Sequence, residues 1–393
     1  MGWGAGEARM SDGGNAAAMD DLVGCAGDAH LVTFVPNRAG GAACYASDLA
    51  SYPGQVVVVD VGGAAYAATA DRRRAMGHEV VRLDPFGVAG EGTDALEPFD
   101  LLDGLEHPAL ETACQDLAAL VIPHDVFTDP YDENAFSLLG AVIAYLTAVP
   151  ERRTLGDVYA TFHTDDVVYN LAVVLDTIGK KIPRMAYTEI AGFLQFEDAV
   201  RARILLGVTA RLKWLGVPQI LAALGPSTVP LERLRAGAPA TVYLVVPAER
   251  LADHGALLRV WVGTLLLSAL RARAEGDEQT GPAPLFVLDR CSALGPFPLL
   301  EALLGTRPGA GPRVWTFWHD VHQLRTTFPA TWPEIVAGAG AVQVFGTKDG
   351  AAAAEAEALV GVPAGEVGSL GATEQVVRVS GDACRRRGPG SAA

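Results

Sequence analysis

Residues 55–60 read Gln-Val-Val-Val-Val-Asp, a run of β-branched side chains with no polar residue between them. Successive strand residues point to opposite faces, so four adjacent valines must be covered on both sides. That requires a strand inside a parallel sheet with helices above and below. The flanks agree. Tyr52-Pro53-Gly54 is a turn, Gly62-Gly63 opens a helix that runs to Met76, and Gly77 stands at its C′ position. Residues 79–83 form the next strand, closed by Asp84-Pro85. Residues 30–35, 241–246, 285–289, 313–318, 341–345 and 375–379 carry the same apolar strand signal.

Between these strands the texture changes. Strand signals vanish over 134–225, and helical periodicity dominates at 133–148, 155–162, 167–178 and 197–215. The chain therefore reads as one α/β sheet domain, split in sequence and interrupted by an all-helical domain. The expected segments are a poorly ordered N-terminus (1–28), a first half of the sheet domain (29–133), the helical insertion (134–225), a second half (226–380) and a solvated Arg-rich tail (381–393).

Half the residues are apolar and the formal net charge is −16, which suits a sizeable core and argues against a module that grips phosphate backbones by a basic footprint. Arg72-Arg73-Arg74 is one candidate for a local basic patch. The five cysteines (Cys25, Cys44, Cys114, Cys291, Cys384) show no C-x-x-C spacing, and the eight histidines no metal-ligand spacing, so free thiols are expected and no zinc site. The N-terminus lacks the pattern of a signal peptide. The most apolar stretch, 256–270, contains Arg259 and falls short of a span, so it reads as a buried helix and no transmembrane helix is expected. Neither G-x-S-x-G nor H-E-x-x-H occurs.

In open parallel sheets ligands bind beyond the carboxyl ends of the strands. The first such junction runs Val35-Pro36-Asn37-Arg38-Ala39-Gly40-Gly41-Ala42. Against the phosphate-cradling pattern G-x-x-x-x-G-K-[ST], Val35 replaces the first glycine, Gly40 matches, Gly41 replaces the lysine and Ala42 the hydroxyl. Asp289 ends an apolar strand, where a carboxylate can hold Mg²⁺ or merely cap a helix, and the next residue is Arg290, which accepts no proton. His319-Asp320 follows the 313–318 strand. Asp60, Gly62 and Gly63 end the valine strand, either as a helix N-terminus for an anion or as a turn that needs glycine for its backbone.

The order of these segments resembles the nucleotide domain of TraG-type coupling proteins of type IV secretion. The resemblance spans about residues 30–362 and is carried by HLVTFVPNRAGGAA, YPGQVVVVDVGGAAYAATADRRRAMGHEVVRLDPFG, DPYDENAFSLLGAVIAYL, TVYLVVP, LFVLDRCSALGPFP and AGAGAVQVFGTKD. It implies a RecA-like P-loop NTPase fold, ATP and Mg²⁺ as cofactors, and cargo or DNA contact by the helical insertion. Its partners would be secretion or conjugation components, a relaxase or single-stranded DNA, in a homo- or hetero-oligomer. The expected location is the cytoplasm, with recruitment to the inner membrane. The family's D-x-K-G-E strand end is here Asp60-Val61-Gly62-Gly63-Ala64, its acid pair Asp289-Arg290, and its strand-end glutamine His319; the family's N-terminal membrane helices have no counterpart. The resemblance thus implies a degenerate nucleotide site and a pseudo-ATPase acting as a scaffold or cargo-binding subunit, with weak nucleotide binding. Two alternatives stand beside it. One is a weak ATPase in which Arg38 replaces the lysine and Arg290 stabilises charge. The other is a dinucleotide enzyme, suggested by the strand–glycine turn–helix–strand–acid rhythm of 55–84.

Overall fold

A computed structural model describes residues 27–36, 41–124, 127–149, 151, 153–274, 282–306, 311–371, 374–379 and, for the backbone, 382–386. Asn37, Arg38, Ala39 and Gly40 lie outside the described residues, as does nearly all of the expected N-terminal segment.

Nine strands form one sheet: β1 (Leu31–Phe34), β2 (Val56–Val61), β3 (Glu79–Leu83), β4 (Ala240–Val246), β5 (Leu285–Leu288), β6 (Arg313–Trp318), β7 (Ala341–Phe345), β8 (Gln375–Val379) and β9 (Asp382–Arg386). Their order is β3-β4-β2-β5-β6-β1-β7-β8-β9. The first seven pair in parallel, and β8 and β9 close the edge antiparallel. The valine run behaves as its pattern demands. Val57 and Val59 enter one apolar cluster while Val56 and Val58 enter the other, on the opposite face.

On the second face pack α1 (Gly41–Ser51) and α2 (Ala64–Ala75), through Tyr45, Leu49, Ala65 and Ala70. The first face is covered by helices that lie between β3 and β4, with α11 described below. Those helices are α3 (Ala109–Val121), α4 (Asp132–Leu146), α5 (Leu155–Phe162), α6 (Val167–Ile178), α7 (Arg184–Gln195), α8 (Asp198–Leu212) and two short helices, α9 (Pro218–Ala223) and α10 (Leu231–Arg235). Among the described residues no strand interrupts them. Caps set several starts: Thr154 accepts from Asp157 N–H, and Asp166 from Tyr169 N–H. The helical stretch begins earlier than the pattern change at 134, because α3 packs on both α4 and α11.

The apolar 256–270 stretch lies within α11 (Leu251–Ala274). The segment Ala248–Ala274 is long and apolar enough to cross a membrane, but most of it is buried against the sheet and α3. Arg259, which breaks its apolar run, is itself buried.

Two sequence expectations need correction. The tail does not simply leave the fold, because β9 pairs with β8 through residues 382–386. An uncovered β8 edge would leave unpaired N–H and C=O groups, and a short returning strand satisfies them. Nor do the three arginines of α2 form a basic patch. Arg74 is held by Asp71 and Tyr66, and Arg73 points inward and is fully buried.

The helical layer meets the sheet domain through Glu97. One of its carboxyl oxygens accepts from both Phe99 N–H (3.2 Å) and Leu155 N–H (3.3 Å), tying the 98–102 turn to the start of α5. The other oxygen has no protein partner. Burial holds this carboxyl well above its usual range, the two N–H donors opposing and Asp100 and Asp157 adding to the effect. The folded state therefore keeps a proton that the unfolded chain gives up near the ordinary glutamate value. Stability is greatest below that value and falls as pH rises toward the folded pKa. Glu97→Gln keeps the acceptor and removes the titration. It is expected to raise the thermal midpoint at neutral pH and flatten its fall with pH, measured by denaturation scans across acid to neutral pH.

Candidate functional site

Strand order brings four carboxyl ends together. β6 separates β1 from β5, and β2 lies beside β5, so Val35, Trp318, Asp289 and Asp60 end along one line. A cleft of about 410 Å³ opens there, lined by Val35, Gly41, Ala42, Val61, Ala64, Leu251, Asp289, Arg290, Ser292, Ala293, Phe317, Trp318, His319 and Gln323. Of the sequence candidates it gathers Gly41, Ala42, Asp289, Arg290 and His319. Pro36 is described but does not line it.

Gly41 and Asp289 meet at its base. A Cβ placed on Gly41 would stand 2.6 Å from Asp289 Oδ2 and 2.9 Å from both Cγ and Oδ1. The carboxylate therefore occupies the space that any side chain at position 41 would need. Burial pushes the Asp289 carboxyl up to about 6, with Arg290 opposing and Asp60 adding to the rise. Arg290 has φ 51° and ψ 52°. Among the described residues it is the one non-glycine with positive φ, a conformation that costs about 1–2 kcal/mol.

Asp60 does not line the cleft. Its carboxylate accepts from Ala65 N–H (3.0 Å) and Tyr66 N–H (2.7 Å), capping α2, and it is fully buried. Gly62 (φ 88°) and Gly63 (φ 75°) make the left-handed turn between β2 and α2, a conformation that favours glycine at both positions. The anion seat of α2 is thus filled by the chain's own carboxylate. His319 is exposed, with Nδ1 2.8 Å from Asp320 Oδ2, while Asp320 caps α12 (Val321–Thr327) by accepting from Gln323 N–H.

Gln323 and Ser292 were not singled out in the sequence, yet both line the cleft. Gln323 lies one helical turn beyond His319 and accepts its N–H at 2.8 Å. That spacing, in a loop leading into a helix, was the available signal. Leu251 arrives from the start of α11, over 200 residues from β1, and nothing local announces it.

Neither a cation at position 41 nor a hydroxyl at 42 is available to a nucleotide. Among the described residues no group of three His, Cys, Asp or Glu could hold a metal ion, which leaves Asp289 as the lone acidic candidate for Mg²⁺ in the cleft.

The comparisons with known proteins agree on the fold. The structure is similar to the bacterial conjugative coupling protein TrwBdeltaN70 in an unbound form, with TM-score 0.71, 13% identity, and coverage of 92% of this chain and 85% of that one. The plasmid coupling protein TrwB in complex with the GTP analogue GDPNP matches at TM-score 0.71, 13% identity and coverage of 92% and 86%. VirB4 of Thermoanaerobacter pseudethanolicus is more distant, at TM-score 0.55, 11% identity and coverage of 92% and 90%. TrwB has also been solved with ADP and Mg²⁺. These likenesses establish a RecA-like P-loop NTPase fold. None of the curated proteins matches the sequence. A profile for the type IV secretory system conjugative DNA transfer family matches residues 2–345, nearly the whole chain. By that match and by its fold, the chain belongs to the conjugative DNA transfer family of type IV secretion, the TraG-type coupling proteins.

Proposed function

We propose that this protein is a coupling-protein homologue that has kept the sheet and helical insertion as a scaffold or cargo-binding subunit and has lost ATP hydrolysis. The observation that carries this reading is the seating of Asp289 against Gly41. In a working phosphate loop the residue at this position neutralises β/γ charge. Here there is no side chain, and the Asp289 carboxylate occupies the space a Cβ at this position would take. Phosphoryl transfer depends almost wholly on positioning and electrostatics. A site offering a buried acid, no loop lysine, no loop hydroxyl and Arg290 in place of an acid supplies neither. The partners this reading implies are secretion or conjugation components, with a relaxase or single-stranded DNA as cargo, met through the helical insertion.

A weak ATPase is the second reading, favoured by one observation: Arg290 lines the cleft and acts on Asp289. The dinucleotide alternative loses its footing. A pyrophosphate would need the N-terminus of α2, and Asp60 already holds those N–H groups.

The test is turnover. Purified protein with ATP and Mg²⁺ is expected to release no phosphate above the level of an Asp289→Ala control. Hydrolysis abolished by that substitution would establish the weak ATPase instead.

A further inference from the structure

We infer that helix α6 docks antiparallel against α6 of a second copy of this chain, through an exposed apolar stripe with opposite charges at its two ends. The inference goes beyond the reading above and does not depend on the fate of ATP hydrolysis.

The composition of the helix sets the problem. Nine of the twelve residues of Val167–Ile178 are apolar. A helix that is apolar all round is normally covered on all sides. Yet α6 packs on α7 and buries only Val167 and Leu171. The opposite face carries Tyr169 (64% exposed), Val173 (37% exposed) and the exposed Ala172. These three stand at i, i+3 and i+4, so they form one stripe. Tyr187 of α7 borders the far end of α6. It is itself exposed, and a Cβ placed on Gly179 would stand 3.1 Å from its Cε2. Among the described residues every exposed large apolar side chain falls between 169 and 206, in the helical insertion, and none in the sheet domain.

The charges select the occupant. Asp165 and Asp166 are exposed at the N-terminal end of α6, and Lys180, Lys181 and Arg184 are exposed just past its C-terminal end. None of the ion pairs among the described residues uses any of the five. An antiparallel second copy inverts this pattern and so complements it. With the two-fold axis beside Ala172 and Val173, Asp165 faces the partner's Lys180 and Tyr169 faces the partner's Asp176. Each contact then occurs twice, as an isologous interface requires. The tyrosine hydroxyl can donate to the carboxylate opposite it. Ala172 at the crossing lets the two axes approach closely. A parallel copy would instead set acid against acid and lysine against lysine. The net charge of −16 opposes association in general, but at physiological salt charges act over only about 8 Å, so the helix ends meet mainly each other. One pair of 12-residue helices, each about 18 Å long, lies at the small end of interface sizes, so the dimer is weak and concentration-dependent.

The experiment is sedimentation equilibrium of the full chain over a concentration series, with thermal midpoints confirming that each variant is folded. Wild type is expected to pass from monomer to dimer as concentration rises. Val173→Glu, at the centre of the stripe, should weaken the dimer at least about tenfold. Lys180→Glu and Asp165→Lys, each alone, set like charges against each other twice and should weaken it about threefold or more. Mixing those two variants restores both opposite pairs, so the dimer should return in the mixture. A merely structural effect of either substitution could not produce that recovery. A wild type that stays monomeric at the highest concentration would overturn the inference and leave the stripe to a different protein. So would a dimer indifferent to Val173→Glu, or a mixture no stronger than its components.

Discussion

Arg73→Ala is expected to destabilise the sheet domain by about 3–5 kcal/mol, because it leaves several buried acceptors without donors at roughly 1–3 kcal/mol each before relaxation. Arg73 is fully buried and has no carboxylate among its hydrogen-bond partners. Its guanidinium instead serves five oxygen and nitrogen acceptors, with the Met76 sulfur a weaker sixth at 3.9 Å. Nε donates to Thr241 Oγ1 (2.8 Å). One terminal nitrogen serves the carbonyls of Leu49 (2.9 Å) and Tyr52. The other serves the Gly54 carbonyl (2.8 Å) and His78 Nδ1 (3.1 Å). Burial, then the neighbouring Arg73, lower the His78 pKa, so that ring is neutral and free to accept. The arginine thus pins the end of α1, the Tyr52-Pro53-Gly54 turn and the entry to β2. Alanine would leave those carbonyls buried without donors, each costing roughly 1–3 kcal/mol before relaxation. Arg73→Lys should recover little, because three donors on a flexible stem cannot match five acceptors fixed in a plane. A chain of this size does not unfold in one step, so local amide exchange over 49–58 is the sharper measurement. Faster exchange confined to that segment and the adjoining end of α1 is the expected result. Unchanged exchange in a folded variant would show that the guanidinium is not what holds the turn.

The same residue shows where sequence reading reaches its limit. The R-R-R run was legible as helical and as basic, but charge alone says nothing about which member of a helix faces inward. Arg73 follows Ala70 and Thr69 on the buried side of α2, and only the tertiary position of three carbonyls makes a buried cation tolerable there. The strands were far more legible, because alternation and β-branching are local properties. The runs 313–318, 341–345 and 375–379 were bounded to the residue, as were the helices 155–162 and 167–178. Helices α3 and α7 escaped notice; α3 starts after Pro108 with no side-chain cap and α7 after Pro183 with none either, so both lack the usual starting signal. At the cleft, the sequence located Gly41, Ala42, Asp289 and His319 by their places at strand ends. It could not show that the side-chain space of one is filled by another, since residues 41 and 289 are brought together only by the strand order that puts β6 between β1 and β5.

The second large effect is expected at Arg259, where replacement by leucine should cost on the order of 3 kcal/mol although it makes the longest helix more apolar. Arg259 is nearly fully buried in α11. Its Nε donates to Leu120 O (2.8 Å), and its terminal nitrogens donate to Leu294 O (2.8 Å) and Val121 O (3.3 Å). Leu120 and Val121 are the last residues of α3, where the final carbonyls have no intrahelical donors and the dipole leaves partial negative charge. The guanidinium is therefore a C-terminal cap supplied from another helix. Burial lowers its pKa to about 10, so it stays protonated at neutral pH. Two terms oppose each other on substitution. Leucine relieves the desolvation of an unpaired charge, which favours the variant, and leaves three buried carbonyls without donors, which disfavours it. The loss should win, because the helix end is buried and water cannot reach the vacated carbonyls without opening the α3–α11 contact. Leu294 links this cap to function, since it ends the turn that begins at Arg290 and follows Asp289. Arg259→Leu should accordingly raise amide exchange in two separate segments, the end of α3 and residues 290–295, while the distant α2 and β2 remain protected. Loss of protection everywhere would point to general unfolding, and protection retained at 290–295 would show that the turn beside the cleft is held by its own backbone rather than by this arginine.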